Sequence, residues 1–179
     1  MLIWRKPSSL MIQGSALFSL SLIAVACGGE ARVGRAVVAL DSGSSVIQAS
    51  QKLGVVSIGL TGIKNKAESA ITIQKVEIPS PPKDLEVLGV RLYRPSEHSR
   101  KAVIAYFCGF PPKNVRTLRP SGFILGPGEE VFLAIGVDVR KRTGKKLYLG
   151  KVVIAYRVGG GKFAQAFEVP HGIQARPDA

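Results

Sequence analysis

The amino-acid sequence predicts an all-β protein, an antiparallel sandwich of seven to eight strands that follows an N-terminal helix. From residue 53 onward, apolar and polar residues alternate with the period of two that is typical of half-buried strands. Turns rich in Gly, Pro and basic residues separate these short segments at fairly even spacing, as in sandwiches and barrels. After residue 27, no segment has the apolar spacing of a convincing helix.

The N-terminal segment, from Met1 to Cys27, has the pattern of an export signal. Arg5 and Lys6 precede an uncharged run over residues 7–29, which contains the sequence LIAVAC at residues 22–27. A short positive segment, an apolar middle and small residues before a cysteine are typical of secretory signals. We therefore predict a helical signal peptide over residues 1–26.

This segment resembles the signals of bacterial lipoproteins, in which small residues precede a cysteine that becomes N-terminal and lipidated. The resemblance implies that Cys27 carries the acyl chains, palmitate among them, and anchors the protein at the cell membrane or envelope surface. It departs from the family at Ala24, where leucine is usual. Two alternatives stay open. Ala24-Val25-Ala26 also fits ordinary signal cleavage, which would release a secreted or periplasmic soluble protein, and the uncharged run could remain as a spanning helix.

Removing the signal leaves enough of the 179 residues for one domain with an apolar core. We expect residues 27–50 to hold the lipidated cysteine, a tether and a first short strand over Ala36–Leu40. The sandwich domain is predicted over 51–170, and 171–179 is a tail without pattern. Since Cys27 and Cys108 are the two cysteines, a disulfide scaffold is excluded.

From residue 53 onward seven or eight segments are predicted as strands, the number depending on whether Ser121–Leu125 is counted, and the slip in alternation at Gln74-Lys75 predicts a β-bulge within the second of them. The strands are Val55–Thr61, Ala70–Ile78, Leu85–Tyr93, Ala102–Phe107, Ser121–Leu125, Val131–Val139, Leu147–Val158 and Lys162–Val169. Their number and length resemble an immunoglobulin-like sandwich in architecture. The only tryptophan is Trp4, so the Cys…Trp…Cys spacing of antibody domains is missing and no named family is indicated.

The net charge of +13 favours anionic partners, which include anionic lipid, an envelope polymer and an acidic protein. Export disfavours nucleic acid. The densest basic segment is residues 140–146, which we predict to be a hairpin tip whose cations contact the partner. A solvated turn that protects strand edges is the alternative. The predicted contact residues are Arg140, Lys141, Arg142, Lys145 and Lys146.

A second basic zone runs from Arg91 to Arg119 and contains one acid, Glu97. Loops at one end of a sandwich cluster, so this zone could form a single patch. Whether it shares an end with residues 140–146 depends on the topology.

No pattern of a catalytic site is present. His98 and His171 have no partner at metal-ligand spacing, and the nucleophile motif Gly-x-Ser-x-Gly does not occur. We therefore predict a protein that is not an enzyme, with no catalytic residue, no metal ligand and no cofactor.

The sequence favours a membrane-anchored extracytoplasmic binding or structural module whose basic loops face an anionic surface, polymer or protein. The alternative is an accessory subunit of an extracytoplasmic enzyme or transporter complex, in which a sheet edge pairs with a partner. An intracellular nucleic-acid binder would require that residues 1–27 are not a signal.

Overall fold

The computed structural model describes residues 31–40, 45–49, 54–94, 105–113, 115–140 and 144–175. The predicted signal helix and Cys27 lie outside these residues. The described residues contain no helix, so the all-β prediction is confirmed for them. In chain order the strands are β1 (Arg32–Val33), β2 (Val37–Ala39), β3 (Ser45–Ala49), β4 (Val55–Asn65), β5 (Ile71–Glu77), β6 (Leu85–Tyr93), β7 (Ala105–Cys108), β8 (Phe123–Leu125), β9 (Glu130–Val139), β10 (Lys146–Val158) and β11 (Gly161–Ala175).

The strands form two sheets that share one apolar core. The six-stranded first sheet has the order β1-β11-β10-β5-β8, with β3 also beside β11. The five-stranded second sheet has the order β2-β4-β9-β6, with β7 also beside β4. Inward side chains from both sheets, such as Ile73 and Ile154 from the first and Ile58 and Leu133 from the second, are at most 1% exposed. Two sheets packed face to face over such a core form a sandwich.

β9 is the central strand of the second sheet, and its predicted alternating face is confirmed. Val131, Leu133, Ile135 and Val137 are at most 1% exposed, since they point into the core between the sheets. The opposite face of β9 is covered as well, because Ala134 is also fully buried.

The predicted bulge in β5 is present at Gln74. Ala155 of β10 pairs with Lys75, but its neighbour Tyr156 pairs with Ile73, so Gln74 is the extra residue. The bulge reverses the alternation and thereby keeps Ile73 and Ile78 on the core side.

β10 departs from its predicted face at its first residues. Simple alternation along the predicted strand Leu147–Val158 puts Tyr148 on the same face as Val152 and Ile154, which are buried, but Tyr148 is 49% exposed. A register shift between Tyr148 and Gly150 reverses the sides, and Leu149 takes the inward place. The irregularity lies within a run of largely apolar residues, where simple alternation does not reveal it.

The first sheet is mixed, so the prediction of a purely antiparallel sandwich was wrong for this sheet. β11 pairs in parallel with β1, whose segment was expected to be part of the tether, and with β3, for which no strand was predicted. Because β3 continues the pairing to Ala175, β11 extends beyond residue 170, the predicted end of the domain. The predicted short strand at residues 36–40 is confirmed as β2, which pairs with the end of β4.

Candidate functional site

The two ends of the sandwich can be told apart by the position of β1. β1 runs parallel to β11 and pairs Arg32 with Phe163, close to the first residue of β11. We call this end, at which β1 begins, the proximal end. The opposite or distal end holds the last residue of β9, Val139, and the first residue of β10, Lys146.

Residues 31–40 form an N-terminal strap that joins the two sheets at the proximal end. The Gly34 amide donates a hydrogen bond to the Ala164 carbonyl of the first sheet (2.9 Å). β2 then pairs with β4 of the second sheet. Between these pairings, the Ala36 amide donates to the phenol oxygen of Tyr156 (3.0 Å), whose pKa is raised by burial. The strap is thus held to both sheets at the proximal end.

Gly34 permits the strap to lie against Tyr156. A Cβ atom at residue 34 would be 2.1 Å from the phenol oxygen, closer than any side chain tolerates. The contact explains why a small residue stands at this point.

The basic segment 140–146 is not a hairpin tip, and the prediction of a hairpin was wrong. β9 pairs with β4 and β6, whereas β10 pairs with β5 and β11, so the segment connects the two sheets. Lys141 and Arg142 lie outside the described residues. Lys145 and Lys146 are exposed at the distal end, and Lys146 begins β10. The register of a hairpin depends on pairing partners, which a local run of cations does not specify.

Arg140 is held by an acid of the neighbouring strand. Its guanidinium contacts the Glu86 carboxylate at 2.7 Å, and its amide donates to the Asp84 carbonyl (2.9 Å). The hydrogen bond to Glu86 raises the pKa of Arg140 above its usual value. Part of the positive charge of the predicted contact set is therefore already neutralised within the fold.

The second basic zone flanks a segment that crosses the outer face of the second sheet. Residues 109–118 begin beside Val55, whose carbonyl accepts from the Gly109 amide, and end where Leu118 pairs with Leu92 of β6. The Phe110 ring lies against Gly136, where a Cβ atom would be 2.3 Å from the ring. This segment explains the burial on the outer side of β9.

Two arginines of this zone pack on aromatic rings. The Arg91 guanidinium lies 5.7 Å from the Phe110 ring centroid, within the range of a cation–π contact. Arg94 lies 6.0 Å from the Phe123 ring and contacts Glu129 at 3.2 Å. Lys113, Arg116 and Arg119 are exposed. Arg100 and Lys101 lie outside the described residues.

Arg94 of the second basic zone and Arg140 of the first lie at opposite ends of the sandwich. Leu85 pairs with Val139 at the distal end, and Tyr93 pairs with Phe132 toward the proximal end. Arg94 and Arg140 therefore lie beyond the two ends of β6, whose length is about 26 Å at a strand rise of ~3.3 Å per residue.

The topology gathers a third basic group at the proximal end, which sequence reasoning missed. Its members are exposed and have no ion pair to a carboxylate among the described residues. The group, which we call the proximal cations, comprises Arg32, Arg35, Lys66 and Arg157.

Three pairings bring the proximal cations together. Arg32 pairs with Phe163, and the preceding residue Lys162 pairs with Arg157. The Lys66 amide donates to the Ala36 carbonyl (2.7 Å), which places Lys66 next to Arg35. These residues are spread over more than a hundred positions of the sequence, so no local pattern could have indicated them.

Two acidic side chains at the proximal end form ion pairs with other cations. Glu130 contacts Lys64 at 3.0 Å, and Glu129 contacts Arg94. Glu68 is exposed and makes no ion pair with a described cation. The proximal cations therefore outnumber the acids left to balance them.

An open cleft of about 430 Å³ lies between β5 and β6 at the distal half of the sandwich. Its walls are mainly apolar, and Glu77, Glu86 and Arg140 are its polar members. Apart from the bridge between Leu92 and Leu118, no described residue pairs with the outer edge of β6. An unpaired edge can accept an added strand.

Within the described ranges, no group of three His, Cys, Asp or Glu side chains is arranged to hold a metal ion. The same part of the chain contains no helix that is long and apolar enough to cross a membrane.

No known protein family and no curated protein matches the chain. Among solved structures, it is similar to the PapD-like domain 7 (ASH / PapD-like domain) of human CEP192, with 10% identity and a TM-score of 0.39. That match covers 90% of this chain and 98% of the other. It is also similar to the VesB protease of Vibrio cholerae, with 15% identity, a TM-score of 0.36 and 79% of this chain covered. The chain spans about a third (32%) of the VesB chain.

Proposed function

We propose that this protein is a non-catalytic, immunoglobulin-like binding or structural module, anchored outside the cytoplasm through lipid on Cys27. Its exposed cations face an anionic surface, an envelope polymer or an acidic protein. One observation carries the proposal. Exposed cations lie at both ends of the sandwich, the proximal cations at one end and Lys146 at the other, and none of them makes an ion pair with a described acidic side chain. Such charge raises the local concentration of anionic partners and speeds their encounter.

The distal contacts of the proposal are Arg140, Lys141, Arg142, Lys145 and Lys146. Arg140 contributes less than a solvated arginine would, because Glu86 is 2.7 Å away. Lys145 and Lys146 are both exposed, and Lys146 makes no ion pair with a described carboxylate, so its charge is accessible to a partner in solution.

The anchor is tested by the intact mass and the fractionation of the native protein. Loss of residues 1–26 with added lipid mass on Cys27, and recovery in the membrane fraction, is the expected result. A soluble full-length chain would overturn the proposal. Cys27→Ser is the matched control and should abolish the lipid mass.

The distal contacts are tested with poly-glutamate as a soluble polyanion. The double variant Lys145→Glu/Lys146→Glu should bind it at least about tenfold more weakly at low salt, since each cation contributes on the order of 1 kcal/mol near an anionic surface. Its thermal midpoint should be no lower than that of the unaltered protein, since both side chains are exposed and the change reduces the excess of positive charge. Equal binding would contradict the assignment of these lysines.

The second candidate function, an accessory subunit that pairs through a sheet edge, is favoured by the unpaired edge of β6 beside the apolar cleft. Leu88 is 40% exposed on this strand. Leu88→Lys should block the addition of a strand there, because a charged side chain protects an edge from pairing. Association through this edge should persist from low to physiological salt, whereas charge-driven binding should weaken. Complexes that are recovered equally from L88K and unaltered cells would contradict this candidate.

A further inference from the structure

The covalent distance from the anchor limits which part of the domain can reach the membrane. Cys27 precedes Arg32 by five positions. A fully extended chain of that length spans at most about 17 Å. β1 begins at Arg32 and holds this residue at the proximal end, beside Phe163. An anchor at Cys27 therefore keeps the proximal end close to the lipid surface.

The distal end is separated from this point by the length of the sheet. Lys146 and Arg157 stand at opposite ends of β10. They are about 36 Å apart at a rise of ~3.3 Å per residue. The Debye length at physiological salt is about 8 Å, so cations at the distal end gain little from the surface while the proximal end is in contact.

The proximal end also exposes apolar side chains beside its cations. Val33 is 69% exposed between Arg32 and Arg35, and Ile124 is 62% exposed on β8. Ile124 pairs with Thr72, which pairs with Arg157 on its other side. Val33 and Ile124 are the most exposed of the large apolar side chains that the structure describes. Cations with neighbouring apolar groups fit the headgroup region of a bilayer better than they fit a hydrated polymer.

From these observations we propose that the proximal end rests on anionic lipid headgroups, with the proximal cations as contacts and Val33 and Ile124 at the interface. The distal end, with Lys146, then faces away from the membrane and remains accessible to a polyanionic partner. This orientation rests on the proposed anchoring through Cys27.

The orientation is tested by lysine acetylation of the lipidated protein on vesicles, read by mass spectrometry. Vesicles of phosphatidylcholine with phosphatidylglycerol are compared with vesicles of phosphatidylcholine alone. Lys66 should be acetylated about fivefold more slowly on the anionic vesicles. This factor corresponds to the ~1 kcal/mol that one cation gains near an anionic surface. Lys83 and Lys146, both exposed at the distal end, should react at the same rate on both.

The outcomes separate the orientation from the anchor. Protection of Lys66 alone supports the proposal. Flotation with the vesicles but no protection of Lys66, or protection of Lys83 and Lys146 instead, overturns the orientation and leaves the anchor intact. Absence of lipid mass on Cys27 together with absence of flotation overturns both.

Two charge-matched variants provide an independent measurement. Arg35→Glu/Arg157→Glu should lose the protection of Lys66, whereas Lys83→Glu/Lys146→Glu, with the same change in net charge, should retain it. Thermal midpoints of both variants control for folding. Equal loss of protection in the two variants would mean that net charge, and not the proximal end, governs the contact.

Discussion

At the scale of single residues, a buried asparagine joins the proximal turns of both sheets. The Asn65 side chain is fully buried, and its amide nitrogen donates to the carbonyls of Ser69 (2.9 Å), Leu125 (3.0 Å) and Gly126 (3.1 Å). Its oxygen accepts from the Ala67 amide (2.9 Å). An alternating strand pattern predicts that β4 exists, but it does not reveal that its last residue donates to three carbonyls of other segments.

Asn65→Ala should lower the free energy of unfolding by about 3 kcal/mol, because buried carbonyls lose their donor. Urea unfolding measures the change. Gln74 is exposed at the bulge of β5 and supplies the control. Gln74→Ala should shift stability by no more than about 0.5 kcal/mol, as is usual for surface substitutions. Similar losses in both variants would contradict the role of the Asn65 network.

Tyr93 couples the stability of the fold to alkaline pH. It is 5% exposed and packs against Phe132, with ring centroids 5.7 Å apart. Burial raises the pKa of its phenol from 10.0 to about 12, because the phenolate is poorly solvated there.

A pKa that is higher in the folded state contributes stability that is present below the unfolded value and is lost as pH rises. The free energy of unfolding should therefore fall between pH 10.0 and about 12, and Tyr93→Phe should fall less steeply over this window. Urea titrations at several pH values measure both slopes. Parallel curves for the two proteins would show that Tyr93 does not carry the effect.

At the scale of elements, the N-terminal strap depends on a close approach that only glycine allows. Gly34→Val should displace the strap from Tyr156 and break the hydrogen bond of the Ala36 amide. We expect this overpacking to cost about 2 kcal/mol of stability. Amide hydrogen exchange at Ala36 should become faster.

Gly54→Ala is the control for the strap variant, since its added Cβ would meet only Asp138 at an ordinary 3.5 Å. Its exchange at Ala36 should match that of the unaltered protein. Unchanged exchange at Ala36 in the Gly34 variant would refute the tight packing of the strap.

Elements with strong alternation were predicted well, and those that depend on distant partners were not. β6 has the predicted bounds, and β9 has the predicted inward face. β1 has two residues and β3 has five, and both are held by parallel pairing with β11. Such short segments carry little periodicity of their own, because the hydrogen bonds that define them belong to a strand more than a hundred positions away.

At the scale of the whole molecule, the net charge of +13 sets the response to salt. Like charges on a compact chain repel, and salt screens them. Raising the ionic strength from about 0.01 M to about 0.15 M shortens the Debye length from ~30 Å to ~8 Å.

The thermal midpoint should therefore rise by roughly 2–5 °C over this range of ionic strength, as expected for a gain on the order of 1 kcal/mol. Lys83→Glu/Lys146→Glu lowers the net charge and should show a smaller rise. Scanning calorimetry at the two ionic strengths provides the comparison, and a midpoint independent of salt would mean that ion pairs such as Arg140–Glu86 already balance the repulsion.

The sequence alone determined the all-β class, the course of the main strands, the bulge in β5 and the excess of positive charge. These are local properties, because neighbouring residues determine the alternation of a strand and the charge of a segment. Only the tertiary structure decided that residues 140–146 join two sheets and lie far from Arg94. It also brought Arg32, Arg35, Lys66 and Arg157 to one end, because pairing between distant strands sets which cations become neighbours in space.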